Sequence, residues 1–273
     1  MKCSEEEREF LRKLVQTHSA NVMDPSRDYF LESRLNGVAQ QVGVASIRDL
    51  IALLRLRPDG NLQRMVVEAM TINETSFFRD GAPFALMERR LIPRLMEARR
   101  AQRRLRFWSA ACASGQEAYS LAILLLHNFP ELEGWDVRIF GTDLSQAMIE
   151  RARNGHYSSL EVARGLSEKF LERYTLHQGH GWTMLPEVRA LCSFVRLNLC
   201  APMPLLPVFD GILLRNVMLY ISGEDRVRLL RTMHRQLASD GFLLLGSSEQ
   251  LPEGLNIFEA HLQDGACSYT PRP

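Results

Sequence analysis

The chain has 273 residues, enough for one large domain or for a small and a medium domain with a sizeable buried core. Its composition is that of a globular protein, with 46% hydrophobic residues, 24% charged residues and a net charge of +1. This balance excludes a disordered chain and argues against a globally basic nucleic-acid-binding protein.

The cysteines and the amino-terminal segment both indicate a cytoplasmic protein. The five cysteines are scattered, form no C-x-x-C pair and have no histidine nearby at metal-ligand spacing. Such thiols are typical of a reducing compartment. The segment MKCSEEEREF lacks an apolar signal core, and no apolar run reaches the roughly 18 residues of a membrane span. The seven histidines are too dispersed for a metal site, so we predict none.

Residues 1–85 predict a helical domain. Ser4 followed by Glu7 matches a capping box, and apolar residues recur at helical spacing from Phe10 to Val15. Further helices are predicted over 29–42, 46–56 and 61–72. Residues 86–105 predict a linker helix that reaches an arginine-rich stretch of Arg99, Arg100, Arg103, Arg104 and Arg106. We interpret these arginines as a solvated helix face with a linker rather than as a binding patch.

From Arg106 onward, strands and helices alternate. Strands are predicted over 106–111, 137–142, 193–197, 211–214 and 241–246, helices over 117–128, 145–154, 167–174 and 223–238, and a short edge strand over 266–270. This alternation predicts an α/β sheet with mostly parallel central strands in a domain of residues 106–273. The stretch Thr175–Leu191 interrupts it with two glycines, a proline and Trp182, which fits an inserted hairpin or a long loop.

The stretch Phe107–Ser120 (FWSAACASGQEAYS) turns from an apolar strand through small residues into a helix. Small residues let a ligand approach the backbone, and a helix start offers unpaired N–H groups. The glycine fingerprint of dinucleotide-binding proteins is missing, since Gly115 is the one glycine of the turn. A nucleotide-like ligand and a structural tight turn explain this stretch equally well.

Polar residues follow four of the predicted strands. In open α/β sheets, ligands bind outside the carboxyl ends of the strands. Asp143 ends the second strand, where an acidic side chain can hold the two hydroxyls of a ribose. It can equally cap the next helix or form an Asx-turn. The others are Glu117, Asn198 with Leu199, and Arg215 with Asn216. Four polar strand ends together favour a nucleoside site.

Five segments carry a resemblance to a known family: NETSFFR (73–79), WSAACASGQEAYS (108–120), GTD (141–143), LRNVMLYI (214–221) and GSSE (246–249). They are similar to segments of CheR, the glutamate methyltransferases of chemotaxis receptors, which use S-adenosylmethionine. The resemblance covers nearly the whole chain. It implies a Rossmann-like class I methyltransferase sheet with an all-α amino-terminal domain and a small β insertion at 175–191.

The resemblance also implies a set of cofactor-binding residues: Asn73, Thr75, Arg79, Glu117, Asp143, Asn198, Leu199, Arg215 and Asn216. Asp143 would accept from the ribose hydroxyls, and Asn198 with Leu199 would flank the adenine. Glu117 would meet the methionyl ammonium, while Arg79 or Arg215 would pair with the methionyl carboxylate.

Arg79 and Tyr220 are the predicted catalytic residues. The family methylates a glutamate carboxylate, which is already ionised at neutral pH and needs no general base. The implied partner is the cytoplasmic helical domain of a methyl-accepting receptor, docked on residues 1–85. The expected protein is a monomer that binds no nucleic acid and does not insert into a membrane. A local basic face of Arg34, Arg48, Arg55 and Arg57 is as plausible as a merely solvated surface.

Two departures from the family pattern stand out. Gln116 and Ala118 replace a glutamate and a proline that are common in the family, while Glu117 is retained. The insert is also a few residues short beside members that grip the receptor's C-terminal pentapeptide, so we predict that methylation does not depend on a pentapeptide. The alternatives are a small-molecule methyltransferase with a closed apolar pocket and a regulatory module that binds S-adenosylmethionine without turnover.

Overall fold

The computed structural model describes residues 3–25, 29–56 and 60–272. The chain separates into two compact units. The first consists of Met1–Ile72 with Tyr220–Asp225, and the second of Asn73–Leu219 with Arg226–Pro273.

The first unit is helical, as predicted. Its helices are α1 (Glu5–Ser19), α2 (Tyr29–Gln41), α3 (Ile47–Leu56) and α4 (Gly60–Met70). The predicted capping box begins α1, because the Ser4 hydroxyl accepts from the backbone N–H of Glu7 and the Glu7 carboxylate accepts from that of Ser4. The apolar faces of these helices are buried through Leu11, Val15, Leu50, Leu54, Leu62 and Val66. An amphipathic stripe on each helix therefore supplies the core of this unit.

Two of the four arginines considered for a basic face are paired with glutamates of α1. Arg48 lies 3.1 Å from Glu7, and Arg55 lies 3.2 Å from Glu6. Arg34 donates to the backbone carbonyl of Thr71 at 2.8 Å. Arg57 lies outside the described residues. The positive charges of Arg48 and Arg55 are thus largely compensated by glutamates of the same unit.

The second unit contains ten strands: β1 (Arg104–Ala110), β2 (Asp136–Asp143), β3 (His156–Ser158), β4 (Thr175–Gln178), β5 (Gly181–Met184), β6 (Cys192–Arg196), β7 (Phe209–Leu214), β8 (Leu237–Leu245), β9 (Phe258–Gln263) and β10 (Ala266–Pro271). The helices after α4 are α5 (Ala82–Leu86), α6 (Ile92–Ala98), α7 (Gln116–Asn128), α8 (Gln146–Asn154), α9 (Ser159–Ala163), α10 (Glu168–Tyr174), α11 (Pro186–Ala190) and α12 (Gly223–Gln236). A π-helical turn, Met87–Leu91, joins α5 to α6.

Seven strands form one sheet in the order β6-β2-β1-β7-β8-β10-β9. The five strands from β6 to β8 are parallel, whereas β10 pairs antiparallel with β8 on one side and with β9 on the other. From β1 the chain moves outward to β2 and β6 and then returns to β7 on the other side of β1. The strand order therefore reverses between β1 and β7, which is where ligands bind in sheets of this kind. This sheet, the helical first unit and the small insertion confirm the predicted fold class.

The prediction of an edge strand at 266–270 was wrong. The strand there, β10, pairs with β8 on one side and with β9 on the other, so β9 is the edge. Most of the side chains of β9 are exposed, although its sequence FEAHLQ alternates apolar and polar residues. The prediction did not use this strand signal, which is short and follows a stretch rich in turn residues.

The predicted insertion forms a hairpin rather than a loop. Strands β4 and β5 pair antiparallel across the two-residue turn Gly179-His180, and β3 adds to β5. The result is a small separate sheet of order β3-β5-β4.

Residues 86–105 do not form a separate linker. Met87, Leu91, Ile92 and Leu95 are buried in the same apolar cluster as the strands of the large sheet. Further along, Arg99 pairs with Asp210 at 2.8 Å and with Asp240, and so ties the end of α6 to the sheet. Arg99 is therefore not part of a solvated face. An amphipathic helix has the same apolar spacing whether it connects units or covers a sheet, so the sequence pattern did not distinguish the two.

Candidate active site at the carboxyl edge of the sheet

The turn between β1 and α7 has an unusual backbone. Ala111, Ala113 and Gly115 all have positive φ, at 59°, 47° and 94°. A Cβ on Gly115 would lie 2.9 Å from the Cβ of Ala152, so both conformation and space require glycine here. The N–H of Cys112 donates to the carbonyl of Thr142 at 2.8 Å and ties the turn to β2. The turn therefore brings the first residues of α7 to the carboxyl edge of the sheet.

Asp143 holds this turn from the end of β2. Its Oδ2 accepts from the N–H of Ala113 at 2.8 Å, and its Oδ1 accepts from the N–H of Ser145 at 2.9 Å. The N-cap of α8 is Ser145, so Asp143 does not cap that helix. Its bond from the N–H two residues later is that of an Asx-turn, the other structural role that the sequence allowed. A carboxylate offers about four acceptor positions, so one engaged in this way can still accept from a ligand's hydroxyls.

Glu117 and Arg215 meet at the reversal of the strand order. Glu117 lies in the first turn of α7 after β1, and Arg215 directly follows β7. An Arg215 guanidinium nitrogen lies 3.0 Å from Glu117 Oε2, and the Ser109 hydroxyl donates to Glu117 Oε1 at 2.7 Å. The Arg215 side chain is 1% exposed and that of Glu117 is 12% exposed. The sheet thus places a nearly buried ion pair where ligands of such folds bind.

Burial raises the pKa of the Glu117 carboxyl, and the Arg215 guanidinium and the Ser109 hydroxyl oppose part of that rise. Burial also raises the pKa of the nearby Cys112 thiol, with the Asp143 and Glu117 carboxylates acting in the same direction. Cys112 is therefore a neutral thiol at neutral pH. The site combines low solvent access with carboxylates, which suits a cationic ligand group.

Arg215 makes further contacts with the segment before α5. It donates to the carbonyl of Arg79 at 2.7 Å and pairs with Asp80 Oδ2 at 2.8 Å. Its guanidinium carbon lies 5.6 Å from the centre of the Phe84 ring. Its Nε is buried and has no hydrogen-bond partner among the described residues. Buried donors are nearly always paired, so this Nε is a candidate donor to an anionic ligand group.

Residues 73–81 carry three more predicted site residues, Asn73, Thr75 and Arg79, all half-buried. The segment is held by the two phenylalanines of NETSFFR. The Phe77 ring meets Tyr157 edge-on at 5.0 Å, and the Phe78 ring stacks on Phe170 at 5.3 Å. Arg79 donates to the carbonyl of Glu74 at 3.0 Å. Of the two arginines predicted to pair with the methionyl carboxylate, Arg79 is the more accessible one.

The remaining predicted residues lie at three places. Asn198 and Leu199 are half-buried in the loop after β6, and the N–H of Leu197 donates to the carbonyl of Asp143 at 2.9 Å. Asn216 directly follows Arg215, with a positive φ of 59°. Tyr220 belongs to the first unit, where its carbonyl accepts from the N–H of Val22 at 2.6 Å.

Two residues that contact the Glu117–Arg215 pair, Ser109 and Asp80, were not predicted from the sequence. Ser109 is fully buried within the apolar strand β1. A single polar residue in an otherwise apolar strand needs a hydrogen-bond partner, and this was the signal in the sequence that could have identified it. Asp80 follows the NETSFFR segment and has a positive φ of 67°.

Among the described residues, no group of three or more His, Cys, Asp or Glu side chains is arranged to hold a metal ion. None of the helices that these residues form combines the length and the apolar character needed to cross a bilayer.

Comparison with known proteins identifies the family. Residues 73–265 match the model of the CheR methyltransferase, SAM binding domain. The chain belongs to the CheR methyltransferase family. Its sheet unit is accordingly an S-adenosylmethionine-binding methyltransferase domain. The site described above suits that cofactor. It offers carboxylates near a small-residue turn, and a buried guanidinium whose Nε has no hydrogen-bond partner among the described residues.

The chain is similar along nearly its whole length to chemotaxis proteins of this family. It is 38% identical to Chemotaxis protein methyltransferase 1 of Pseudomonas aeruginosa, over 95% of this chain and 94% of that protein. It is 36% identical to Chemotaxis protein methyltransferase Cher2 of Pseudomonas putida, with the same coverage. A Chemotaxis protein methyltransferase of Vibrio parahaemolyticus is 35% identical over 93% of this chain and 92% of that protein.

Proposed function

We propose that this CheR-family enzyme transfers the methyl group of S-adenosylmethionine to glutamate side chains of methyl-accepting chemotaxis receptors. The products would be glutamate methyl esters that serve sensory adaptation. The observation that carries the proposal is the buried Glu117–Arg215 pair at the reversal of the strand order, in a chain similar to chemotaxis protein methyltransferases.

The predicted contacts with the cofactor form the next part of the proposal. Glu117 would bind the methionyl ammonium, for which a nearly buried carboxylate is suited. Asp143 would accept from the ribose hydroxyls at the end of β2, next to the turn that it holds. The methionyl carboxylate would pair with Arg79, which is the more accessible arginine, or with the buried Nε of Arg215.

The other contacts come from three loops. Asn198 and Leu199 would flank the adenine after β6, where both side chains are half-buried and within reach of a ligand. Asn73 and Thr75 would contribute from the segment that the two phenylalanines hold. Asn216 would contribute from the loop after β7.

Methyl transfer to a glutamate would depend on alignment rather than on base catalysis. S-adenosylmethionine would supply an electrophilic methyl group on a sulfonium. As the glutamate oxygen bonds to the methyl carbon, the carbon–sulfur bond would break and S-adenosylhomocysteine would leave as the product. A glutamate carboxylate is ionised at neutral pH, so the protein need not remove a proton. Arg79 and Tyr220 would orient that carboxylate, and correct alignment alone accounts for a large part of such rate enhancements. Cys112 would not compete as an acceptor, because the raised pKa keeps it a thiol.

The first unit would contact the receptor, since its helices suit packing against the helices of a receptor's cytoplasmic domain. Recognition of a C-terminal pentapeptide would not be required. The small hairpin supports this part of the proposal, because its strands β4 and β5 have four residues each and a two-residue turn. A receptor that lacks its last five residues should therefore be methylated at the same initial rate as the complete receptor. A large loss of rate would contradict this part alone.

The reaction class is tested with methyl-labelled S-adenosylmethionine and membranes that carry the cognate receptor, followed by mild alkali. Release of volatile labelled methanol is expected, because carboxyl methyl esters hydrolyse under these conditions. Label that stays bound to the receptor would indicate N- or S-methylation and would overturn the glutamate proposal. The Glu117→Gln variant serves as the matched control and should transfer little label.

A further inference from the structure

Glu249 lies in the turn after β8, beside the loop that leaves β7 with Arg215 and Asn216. The turn closes with a hydrogen bond from the N–H of Glu249 to the carbonyl of Gly246 at 2.9 Å. Glu249 is only 6% exposed. A buried carboxylate needs compensating partners, and within the described residues no arginine or lysine forms an ion pair with it.

The partners of Glu249 are three backbone N–H groups. Its Oε2 accepts from Asn216 and from Gly246, each at 2.7 Å, and its Oε1 accepts from Met218 at 2.7 Å. Hydrogen bonds from N–H groups to a carboxylate are stronger than those between neutral groups. Two of the three cross from the end of β8 to the loop after β7. Glu249 therefore fixes the course of that loop.

Asn216 is the residue most constrained by these bonds. Its φ of 59° lies in the left-handed region, which asparagine adopts more readily than most residues, and the hydrogen bond to Glu249 fixes its backbone N–H there. Its side chain is confined as well, because a Cβ on Gly246 would lie 2.7 Å from the Asn216 Nδ2. The Glu249 turn thus holds the backbone of Asn216 by a hydrogen bond and lies close to its amide.

We propose that Glu249 is a positioning residue for cofactor binding, which acts by holding Asn216 in its bound conformation. This inference rests on the proposed role of Asn216 as a cofactor contact. Glu249 itself does not touch the cofactor in this scheme. Its carboxylate accepts hydrogen bonds from the loop after β7 and so fixes that loop to the end of β8.

The first test compares Glu249→Gln with Asp210→Asn by titration calorimetry with S-adenosylhomocysteine. Glutamine keeps the shape of Glu249 but turns an NH2 group toward backbone donors, and the Kd is expected to rise at least tenfold. Asp210 is also buried, at 7% exposed, and accepts from Arg99 and from the N–H of Arg106. It lies at the amino end of β7, so Asp210→Asn should lower the Tm and leave the Kd unchanged. If the Kd is unchanged in Glu249→Gln as well as in Asp210→Asn, Glu249 has only a structural role and the proposal is overturned.

A double-mutant cycle with Asn216→Ala separates this inference from the proposed function. If Glu249 acts through Asn216, the double variant should bind no more weakly than Asn216→Ala alone. Additive losses would overturn the positioning role. A normal Kd for Asn216→Ala would instead show that Asn216 is not a cofactor contact, and both proposals for that residue would fall.

A second variant guards against misfolding of Glu249→Gln. Gly246→Ala retains the Glu249 carboxylate, but its methyl group would lie 2.7 Å from Asn216 Nδ2, 2.7 Å from Glu249 Oε2 and 2.9 Å from the Asn216 backbone nitrogen. It would therefore disturb the contact between the two residues without removing either side chain. It should weaken S-adenosylhomocysteine binding by a similar factor and shift the backbone amide resonance of Asn216. Unchanged affinity in this variant would also overturn the proposal.

Discussion

At the scale of single residues, the site depends on a balance of buried charge. Arg215 is 1% exposed and lies between two carboxylates, Glu117 at 3.0 Å and Asp80 at 2.8 Å. A buried pair adds little net stability, but removal of one partner leaves an uncompensated charge. The folded state therefore needs Arg215 to compensate the charge of these carboxylates, whether or not Arg215 contacts the cofactor.

Replacement of Arg215 by leucine should therefore lower the free energy of unfolding by about 3–5 kcal/mol. The nearly buried Glu117 would lose its partner in the interior, and the more exposed Asp80 would lose its ion pair as well. Arg79→Leu is the matched control, since its half-exposed guanidinium donates to one carbonyl, and it should cost less than about 1 kcal/mol. Urea unfolding of both variants measures the difference. Equal losses would contradict the assignment of Arg215 as the buried link.

Cofactor affinity should fall at mildly acidic pH because of Glu117. The ionised carboxylate attracts the methionyl ammonium, and the protonated form does not. Since burial raises the pKa of Glu117 above its ordinary value of 4.5, affinity should begin to fall at a pH above 4.5. Titration calorimetry from pH 7.5 to pH 5 measures this. Glu117→Gln should bind weakly throughout, and an equal pH dependence in that variant would rule out Glu117 as the titrating group.

At the scale of elements, the segment 73–81 keeps its place through close backbone contact. Gly165, in the turn between α9 and α10, has a φ of 106°, and a Cβ there would lie 1.9 Å from the carbonyl oxygen of Phe77. Phe77 in turn packs on Tyr157. The helices after the small strand β3 therefore hold the segment that carries Asn73, Thr75 and Arg79.

Gly165→Ala should destabilise the protein by about 3 kcal/mol, through steric overlap and backbone strain together. It should also weaken S-adenosylhomocysteine binding, because the segment of Phe77 must move. Gly179 is the matched control, since its φ is 62° but no atom of the described residues lies within 4 Å of a Cβ there. Gly179→Ala should cost about 1 kcal/mol and leave binding unchanged. Thermal unfolding and calorimetry measure both effects, and similar behaviour of the two variants would contradict the close contact.

The link between α6 and the sheet should depend on pH. The hydrogen bond from Arg99 lowers the pKa of Asp240 below its ordinary value of 3.8. A lowered folded-state pKa gives stability that is present above pH 3.8 and is lost as the pH falls through the lowered value. The Tm difference between the parent and Arg99→Gln should therefore be largest near neutral pH and shrink below about pH 4. Thermal scans from pH 7 to pH 3 measure it, and a constant difference would exclude the Asp240 pair as its source.

At the scale of the whole molecule, the proposed cofactor contacts and the predicted catalytic tyrosine belong to different units. All the cofactor contacts, from Asn73 to Asn216, lie in the second unit, whereas Tyr220 lies in the first. Cofactor binding and catalysis should for that reason be separable by mutation.

Tyr220→Phe should bind S-adenosylhomocysteine with a Kd within about twofold of the parent, because the cofactor contacts remain. Its kcat for receptor methylation should fall about a hundredfold, through loss of the hydroxyl that orients the acceptor. Calorimetry and the methanol-release assay measure the two quantities. Unchanged turnover would remove Tyr220 from the catalytic residues, and a parent without turnover would favour the regulatory module.

Local sequence patterns were sufficient to predict the fold class and the central parallel strands. The alternation of apolar strands and amphipathic helices predicted the sheet, and the hairpin was one of the two structures expected at Thr175–Leu191. The small-residue turn at Gly115 and the polar strand ends at Asp143 and Arg215 predicted a ligand site at this edge of the sheet, and that site stays a prediction. These features depend on neighbouring residues, because period and propensity act within one element.

Only the tertiary structure decided which of these residues meet. Glu117 and Arg215 are 98 residues apart in the chain, and their contact follows from the adjacency of β1 and β7. The inclusion of residues 86–105 in the core, the edge position of β9 and the support of Asn216 by Glu249 have the same origin. Each depends on how distant segments pack, which the periodicity of a single segment does not encode.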